Sequence, residues 1–209
     1  LKGQNELVLS KPREPEEYQE VIASNLEEIN YMSKVLEDLF ILSKSDENQI
    51  HLNCKPMDLR DLVEEVCKHA EVLAGDKDIV IIIAFLESVK INGDEVRLRQ
   101  MIWNILHNGI KYTQSGGELK VSLQGEAEFA LLTIQDTGIG IPEKDLPSIF
   151  DRFYRVDKAR SKDEGGSGLG LSICKHIAEA HKGKIEVESK LGVGTRFKIR
   201  IPISSEACK

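Results

Sequence analysis

From Leu59 onward the apolar residues repeat first with a helical period and then with a strand period, and the later strands arrive in pairs. Helical spacing covers Leu59 to Leu73, with Leu59, Leu62, Val63, Val66 and Ala70 on one face. A β-branched run follows at Ile79 to Phe85, then a second helix at Asp94 to Tyr112. Strands at Glu118 to Leu123 and Phe129 to Gln135 are joined by a short glycine-containing turn. A third helix at Leu169 to His181 precedes a terminal hairpin, Lys184 to Ser189 and Thr195 to Ile201, around Gly192 and Gly194. Hairpins mixed with helices are not regular strand–helix–strand units, so the pattern specifies an α+β layer with an antiparallel or mixed sheet. The longest apolar run, Ile79 to Leu86, has eight residues, against the roughly 20 that a membrane-spanning helix needs. The net charge of −7 at pH 7 excludes a general nucleic-acid binder, which carries a basic footprint. An anionic ligand must therefore be met by a local cluster of positive charge.

The first 45 residues read differently. Pro15 followed by Glu16 and Glu17 is a good helix start. Ile22, Leu26, Ile29, Leu36 and Phe40 then make a stripe that Met32, Val35 and Leu39 widen. Leu1 to Ser10 reads as the end of an earlier helix, so residues 1–45 form an antiparallel helical hairpin. Such a hairpin buries little alone and dimerises into a four-helix bundle, or else its helices belong to the core of the main domain. Residues 46–56, polar and holding Pro56, read as a linker or short edge strand, and residues 57–209 as the main domain. Cys54, Cys67, Cys174 and Cys208 show no metal-like spacing. A chain of this length needs no disulfide to fold, which points to a reducing compartment.

Four features carry chemistry. On the helix Asp94 to Tyr112, the residues Arg97, Gln100, Asn104, His107, Asn108 and Lys111 share one arc about 100° wide. A solvent face would look similar, but two mid-helix asparagines are poor helix formers, and an amide oxygen is a hard neutral ligand suited to Mg2+. Asp136-Thr137-Gly138-Ile139-Gly140-Ile141-Pro142 directly follows a strand; it is either a plain turn or a carboxylate placed to accept an exocyclic amine. Gly165-Gly166-Ser167-Gly168-Leu169-Gly170-Leu171 opens a helix, an arrangement that can cradle an anion, yet it is neither a dinucleotide fingerprint nor a P-loop. Between them Arg152, Arg155, Lys158, Arg160 and Lys162 fall within eleven residues, opposed only by Asp157. In an acidic chain that is a positive island fit for a phosphate tail.

The order of these segments resembles the ATP-binding catalytic domain of sensor histidine kinases, within the wider GHKL ATPase superfamily. Asn104 to Thr113 is similar to the N box, Asp136 to Pro142 to the first G box and Phe150 to Arg155 to the F box. Gly166 to Leu171 resembles the second G box and Gly192 to Thr195 the third. Leu1 to Ser45 resembles, more loosely, the dimerisation and histidine-phosphotransfer hairpin. The resemblance implies a two-layer α/β sandwich with a mixed, mostly antiparallel sheet (the GHKL or Bergerat fold), preceded by an α-helical hairpin. It implies ATP and Mg2+, with Asn108 as metal ligand and Asn104 in support. Lys111 would contact phosphate and Tyr112 would pack on the adenine. Asp136 would receive the adenine amine, with Gly138, Gly140 and Ile141 along the base and Thr195 near that end. Tyr154, Arg155 and Arg160 would belong to the lid over the phosphates, closed by Gly168, Leu169, Gly170 and Leu171. Asn108, Lys111, Arg155 and Arg160 would carry catalysis, and Phe150 and Phe153 would be apolar anchors.

Two departures stand out. Gly109 stands where the family usually has alanine, which weakens the helix mildly. None of the five histidines (His51, His69, His107, His176, His181) lies in a His-Glu-x-x-x-Pro segment, where the family carries its phosphate acceptor. The expectation is that the chain starts inside the first hairpin helix, with acceptor, sensor and membrane anchor upstream. As implied, the chain is the cytoplasmic kinase core of an inner-membrane sensor, a homodimer through the hairpin. It would transfer the ATP γ-phosphoryl to that histidine and then to an aspartate of a response regulator, with no nucleic-acid partner. The rivals are another GHKL enzyme, such as an anti-sigma serine kinase or a DNA-gyrase-type ATPase, and a non-enzymatic dimerising nucleotide-binding module.

Overall fold

The computed structural model describes residues 2–12, 14–46, 52–156 and 167–203. Two helices, α1 (Lys2–Leu9) and α2 (Pro15–Asp46), come first and touch each other. The main body runs β1 (Lys55–Asp58), α3 (Leu59–Gly75), β2 (Val80–Leu86), β3 (Lys90–Gly93), α4 (Glu95–Tyr112), β4 (Glu118–Glu126) and β5 (Phe129–Asp136). A 3-10 turn at Glu143–Ser148, α5 (Gly170–Ala180), β6 (Lys184–Lys190) and β7 (Gly194–Pro202) complete it.

Five strands form one sheet in the order β2-β4-β5-β7-β6, parallel only between β2 and β4. The pattern specifies an α+β layer with an antiparallel or mixed sheet, the resemblance a two-layer, mostly antiparallel one, and this architecture is both. Alternation puts one residue in two of each strand against the helices. The register stacks Val121, Ile134 and Phe197 in one cross-strand row and Leu123, Leu132 and Ile199 in the next, all buried. Leu98, Ile102, Ile105, Leu106 and Ile110 of α4 close the core, fully buried at helical spacing. Over β6 and β7 the opposite face of the sheet carries charged pairs, Lys198 with Glu188 and Arg200 with Glu186.

Several expectations shift. Of the two readings of residues 46–56, linker or short edge strand, residues 55 and 56 take the second: they belong to β1, which pairs antiparallel with β3, and with four residues each these strands show no apolar alternation. Ile22, Leu26, Ile29, Leu36 and Phe40 of α2 are each between 46% and 67% exposed. Among the described residues, α2 meets the domain along its flank, where Val35 packs on the core and the helix touches α5. The stripe is therefore not part of the domain's core. Cys67 and Cys174 are buried thiols outside any disulfide, but Cys54 is disulfide-bonded. Sufficient length makes a cross-link unnecessary without preventing one.

His181 ties the helical layer to the start of α4. Its ring is fully buried; Nδ1 donates to the Ile177 carbonyl at 2.8 Å, and Nε2 accepts the Asp94 N–H at 3.0 Å. That geometry requires the neutral tautomer, because a protonated ring has no acceptor left. Burial pushes the imidazole below its ordinary value, against the opposing pull of the Ile177 bond and the Asp94 charge. The unfolded chain then binds more protons than the folded one below about pH 6.5, so stability falls as pH drops through that range. Thermal midpoints measured from about pH 8 to about pH 5 are expected to fall in the parent chain. In His181→Gln they start lower but depend less on pH; equal slopes in both would contradict this account.

Candidate nucleotide site

The site begins with the polar face of α4. Asp94 caps the helix, its Oδ1 accepting Arg97 N–H at 3.1 Å and its Oδ2 accepting Asn53 N–H at 2.8 Å. With the apolar face locked into the core, Asn104, Asn108 and Lys111 are set on the other side. This is no plain solvent face. Asn104 is only 8% exposed, and its amide reaches the carbonyl of Gly170, the first residue of α5, at 3.5 Å. Asn108 lies one turn further, half-buried, and the Lys111 ammonium stands 5.4 Å from the centroid of the partly exposed Tyr112 ring. Gly109 has a packing reason as well as a helix cost: a Cβ there would come within 2.7 Å of Leu119 Cδ2.

Asp136 ends β5, the middle strand of the sheet, and is 8% exposed. Its Oδ1 accepts two backbone N–H groups, Gly138 at 2.9 Å and Thr195 at 3.1 Å. Burial pushes its carboxyl above the ordinary value, opposed by those two bonds. Since both bonds go to Oδ1, Oδ2 keeps its acceptor capacity. The Tyr112 carbonyl accepts Ile139 N–H at 3.1 Å, which joins the end of α4 to the 136–141 segment. Gly140 has φ +69°, and a Cβ on it would collide with the Lys190 carbonyl, so that close approach demands glycine. Gly192 N–H donates to the Ile139 carbonyl at 2.7 Å. Ser189 Oγ accepts Ile141 N–H at 2.8 Å and stands 2.9 Å from Thr195 Oγ1. Ser189 was missed by the sequence reading, because a serine near a strand end carries no local signal.

The structure thus brings together the α4 face, the segment 136–141 and residues 192–195. The second glycine segment joins them through Asn104 and Gly170. Its residues Gly168, Leu169, Gly170 and Leu171 lead into α5, where Leu169 is fully buried and its N–H donates to Ser167 Oγ at 3.3 Å. Phe153 N–H donates to the Gly168 carbonyl at 3.0 Å, so the aromatic segment and this glycine segment meet. Phe150 packs against the core, as an apolar anchor should, but Phe153 does not. It is 57% exposed with φ +62°, its backbone turned to pair with Gly168. The Tyr154 hydroxyl donates to Asp145 Oδ1 at 2.7 Å, and that bond, with burial, raises its phenol above the ordinary value. Arg155 is half-buried beside it. Arg160, with Lys158 and Lys162 of the basic island, lies outside the described residues.

The family described as "Histidine kinase-, DNA gyrase B-, and HSP90-like ATPase" matches residues 93–205. The chain is 38% identical over 200 residues to the sensor histidine kinase CusS of Escherichia coli, covering 95% of this chain and 41% of that protein. It is 36% identical to the probable sensor kinase SilS of Salmonella typhimurium, covering 97% and 41%. The chain therefore spans well under half the length of these curated relatives. Among solved structures it resembles the Acinetobacter baumannii histidine kinase AdeS, with TM-score 0.79, 26% identity, and 98% and 93% of the two chains covered. It also resembles full-length ShkA in complex with AMPPNP, with TM-score 0.79, 26% identity, and 94% and 41% covered. On these grounds the chain belongs to the histidine kinase-, DNA gyrase B- and HSP90-like ATPase family, as a catalytic domain of the sensor histidine kinase type.

Proposed function

We propose that this domain binds Mg-ATP and transfers the γ-phosphoryl to a histidine imidazole outside the five histidines of this chain, and that a response-regulator aspartate receives it next. The observation that carries the reading is the buried Asp136 carboxylate. Its Oδ1 is saturated by two backbone N–H groups, and Oδ2 remains to accept the adenine amine. A Cβ at Gly138 would come within 2.6 Å of the Tyr112 carbonyl, so the 136–141 backbone lies close under the end of α4. That is a surface a flat base can rest on, with Gly138, Gly140 and Ile141 along it. Tyr112 packs on the base, and Thr195 supports Asp136 through its N–H.

The donor set of α4 suits magnesium shared with phosphates. Asn108, whose amide oxygen is a hard neutral donor, would be the protein ligand, and phosphate oxygens would supply the rest. When bound, the cation neutralises charge on the transferring group. Asn104 supports Asn108, and Lys111, Arg155 and Arg160 meet the phosphate oxygens. In the transfer the bond from the γ-phosphorus to the β-bridging oxygen breaks and a nitrogen–phosphorus bond forms. ADP leaves and the imidazole loses its proton. The residues contribute position and electrostatics rather than covalent chemistry. The exposed α2 stripe supports a homodimer through the hairpin, and the parent protein is read as a membrane-anchored sensor whose kinase core faces the cytosol.

Calorimetry should show ATP binding that strengthens with Mg2+, and Asn108→Ala should remove most of the metal dependence. Asp136→Ala should weaken ATP by roughly tenfold to a hundredfold, the loss expected for a hydrogen bond to a charged group. Guanine nucleotides should bind poorly, since their six-position oxygen cannot donate to Asp136. Equal affinity with and without Mg2+ would refute the Asn108 assignment.

Activity gives a second check. This chain alone should form no phosphohistidine, and adding a hairpin that carries the acceptor should yield acid-labile, base-stable label. Arg155→Ala should then cut turnover more than affinity. Acid-stable phosphoester instead would favour the serine-kinase rival. In sedimentation the chain should self-associate with increasing concentration, and Ile29→Glu should make it monomeric while ATP binding persists.

A further inference from the structure

Asp145 has no role in the site as drawn, yet its environment is unusual. It sits on the 3-10 turn Glu143–Ser148, its N–H bonded to the Pro142 carbonyl at 2.9 Å, and the residue is only 8% exposed. One carboxylate oxygen, Oδ1, accepts the Tyr154 hydroxyl at 2.7 Å; the other, Oδ2, is buried without a hydrogen-bond partner among the described residues. A buried carboxylate satisfied on one side only is costly, so something other than packing must keep it. Tyr154, its side-chain partner among the described residues, immediately precedes Arg155.

The backbone there is under strain. Phe153 holds φ +62°, a left-handed conformation that a non-glycine aromatic rarely adopts. It is maintained by Phe153 N–H bonding the Gly168 carbonyl at 3.0 Å and Tyr154 N–H bonding the Asp151 carbonyl at 3.3 Å. Gly168 itself has φ +70°, and a Cβ on it would come within 2.8 Å of the Phe153 carbonyl carbon. The turn 151–155 is thus pinned to the second glycine segment by backbone and to the 3-10 turn by a phenol–carboxylate bond.

We propose that Asp145 is a positioning residue for nucleotide phosphate: by holding the Tyr154 hydroxyl it maintains the strained turn that sets the direction of Arg155. This rests on the Mg-ATP reading for its consequence, though not for its geometry. Tyr154 then acts as the strut of the phosphate end rather than as a ligand of ATP. Asp145→Ala and Tyr154→Phe each break the same bond, so their effects should coincide and should not add in the double variant.

The test uses the whole chain, with two readouts. Amide exchange at Phe153 should speed up roughly tenfold in Asp145→Ala and in Tyr154→Phe, with no further gain in the double variant. The preference for ATP over ADP, measured by calorimetry with Mg2+, should fall about fivefold to tenfold while ADP affinity stays within about twofold. Asp145→Asn keeps an oxygen that can accept the phenol, so it should recover most of both. The proposal is overturned if the two single effects add, if Asp145→Asn behaves like Asp145→Ala, or if ATP and ADP affinity fall together. If the parent chain binds no ATP, the Mg-ATP reading fails instead, and the exchange data alone decide whether Asp145 holds the turn.

Discussion

The buried carboxylate of Asp136 is the point on which the site's geometry turns. It sits at the end of the middle strand, and its two backbone bonds run in different directions along the chain. One reaches Gly138 in the segment that follows β5, and the other reaches Thr195 at the start of β7. One side chain thus fixes a loop against a neighbouring strand. Because the group is desolvated, those N–H bonds matter more than they would in water, and losing them would leave a charge buried and unpaired. The close approach of Gly140 to Lys190 and of Gly192 to Ile139 follows from that placement.

Motifs far apart in sequence become one surface through the antiparallel register of β5 with β7. Gln135 pairs with Arg196, so the chain leaving β5 and the chain entering β7 emerge side by side. The other wall is α4, whose C-terminal carbonyl at Tyr112 binds Ile139 N–H. That helix can present amides and a lysine to a ligand only because Leu98, Ile102, Ile105, Leu106 and Ile110 hold its far side in the core. Burial of one face is what gives the other face its precision.

What the sequence made legible was what repeats. The period of α3, α4 and α5, the alternation of β4, β5 and β7, and the spacing of the glycine motifs each leave several coincident residues in the text. Single residues whose meaning comes from a distant partner left no trace. His181, Ser189 and Asp145 look like ordinary helix-end, strand-end and turn residues until Asp94, Ile141 and Tyr154 are brought beside them. Phe153 departs for a related reason: the resemblance implied an anchor, while its left-handed backbone leaves the side chain exposed. The short β1 and β3 have too few residues for any period to show.

The two ends of the site are held by different means. At the base end the contacts run between sheet strands and the end of α4, elements whose other faces lie in the core. At the phosphate end they run between turns: Tyr154 to Asp145, Phe153 to Gly168, and Ser167 to Leu169. Turns with few buried apolar contacts open at lower free energy than core strands. On the Mg-ATP reading, a base that phosphoryl transfer leaves chemically unchanged is suited to the rigid end. On the same reading the phosphate tail changes length and charge in each cycle, and it would lie against a strained turn held by two backbone bonds and one phenol–carboxylate bond, none of them made by a core strand.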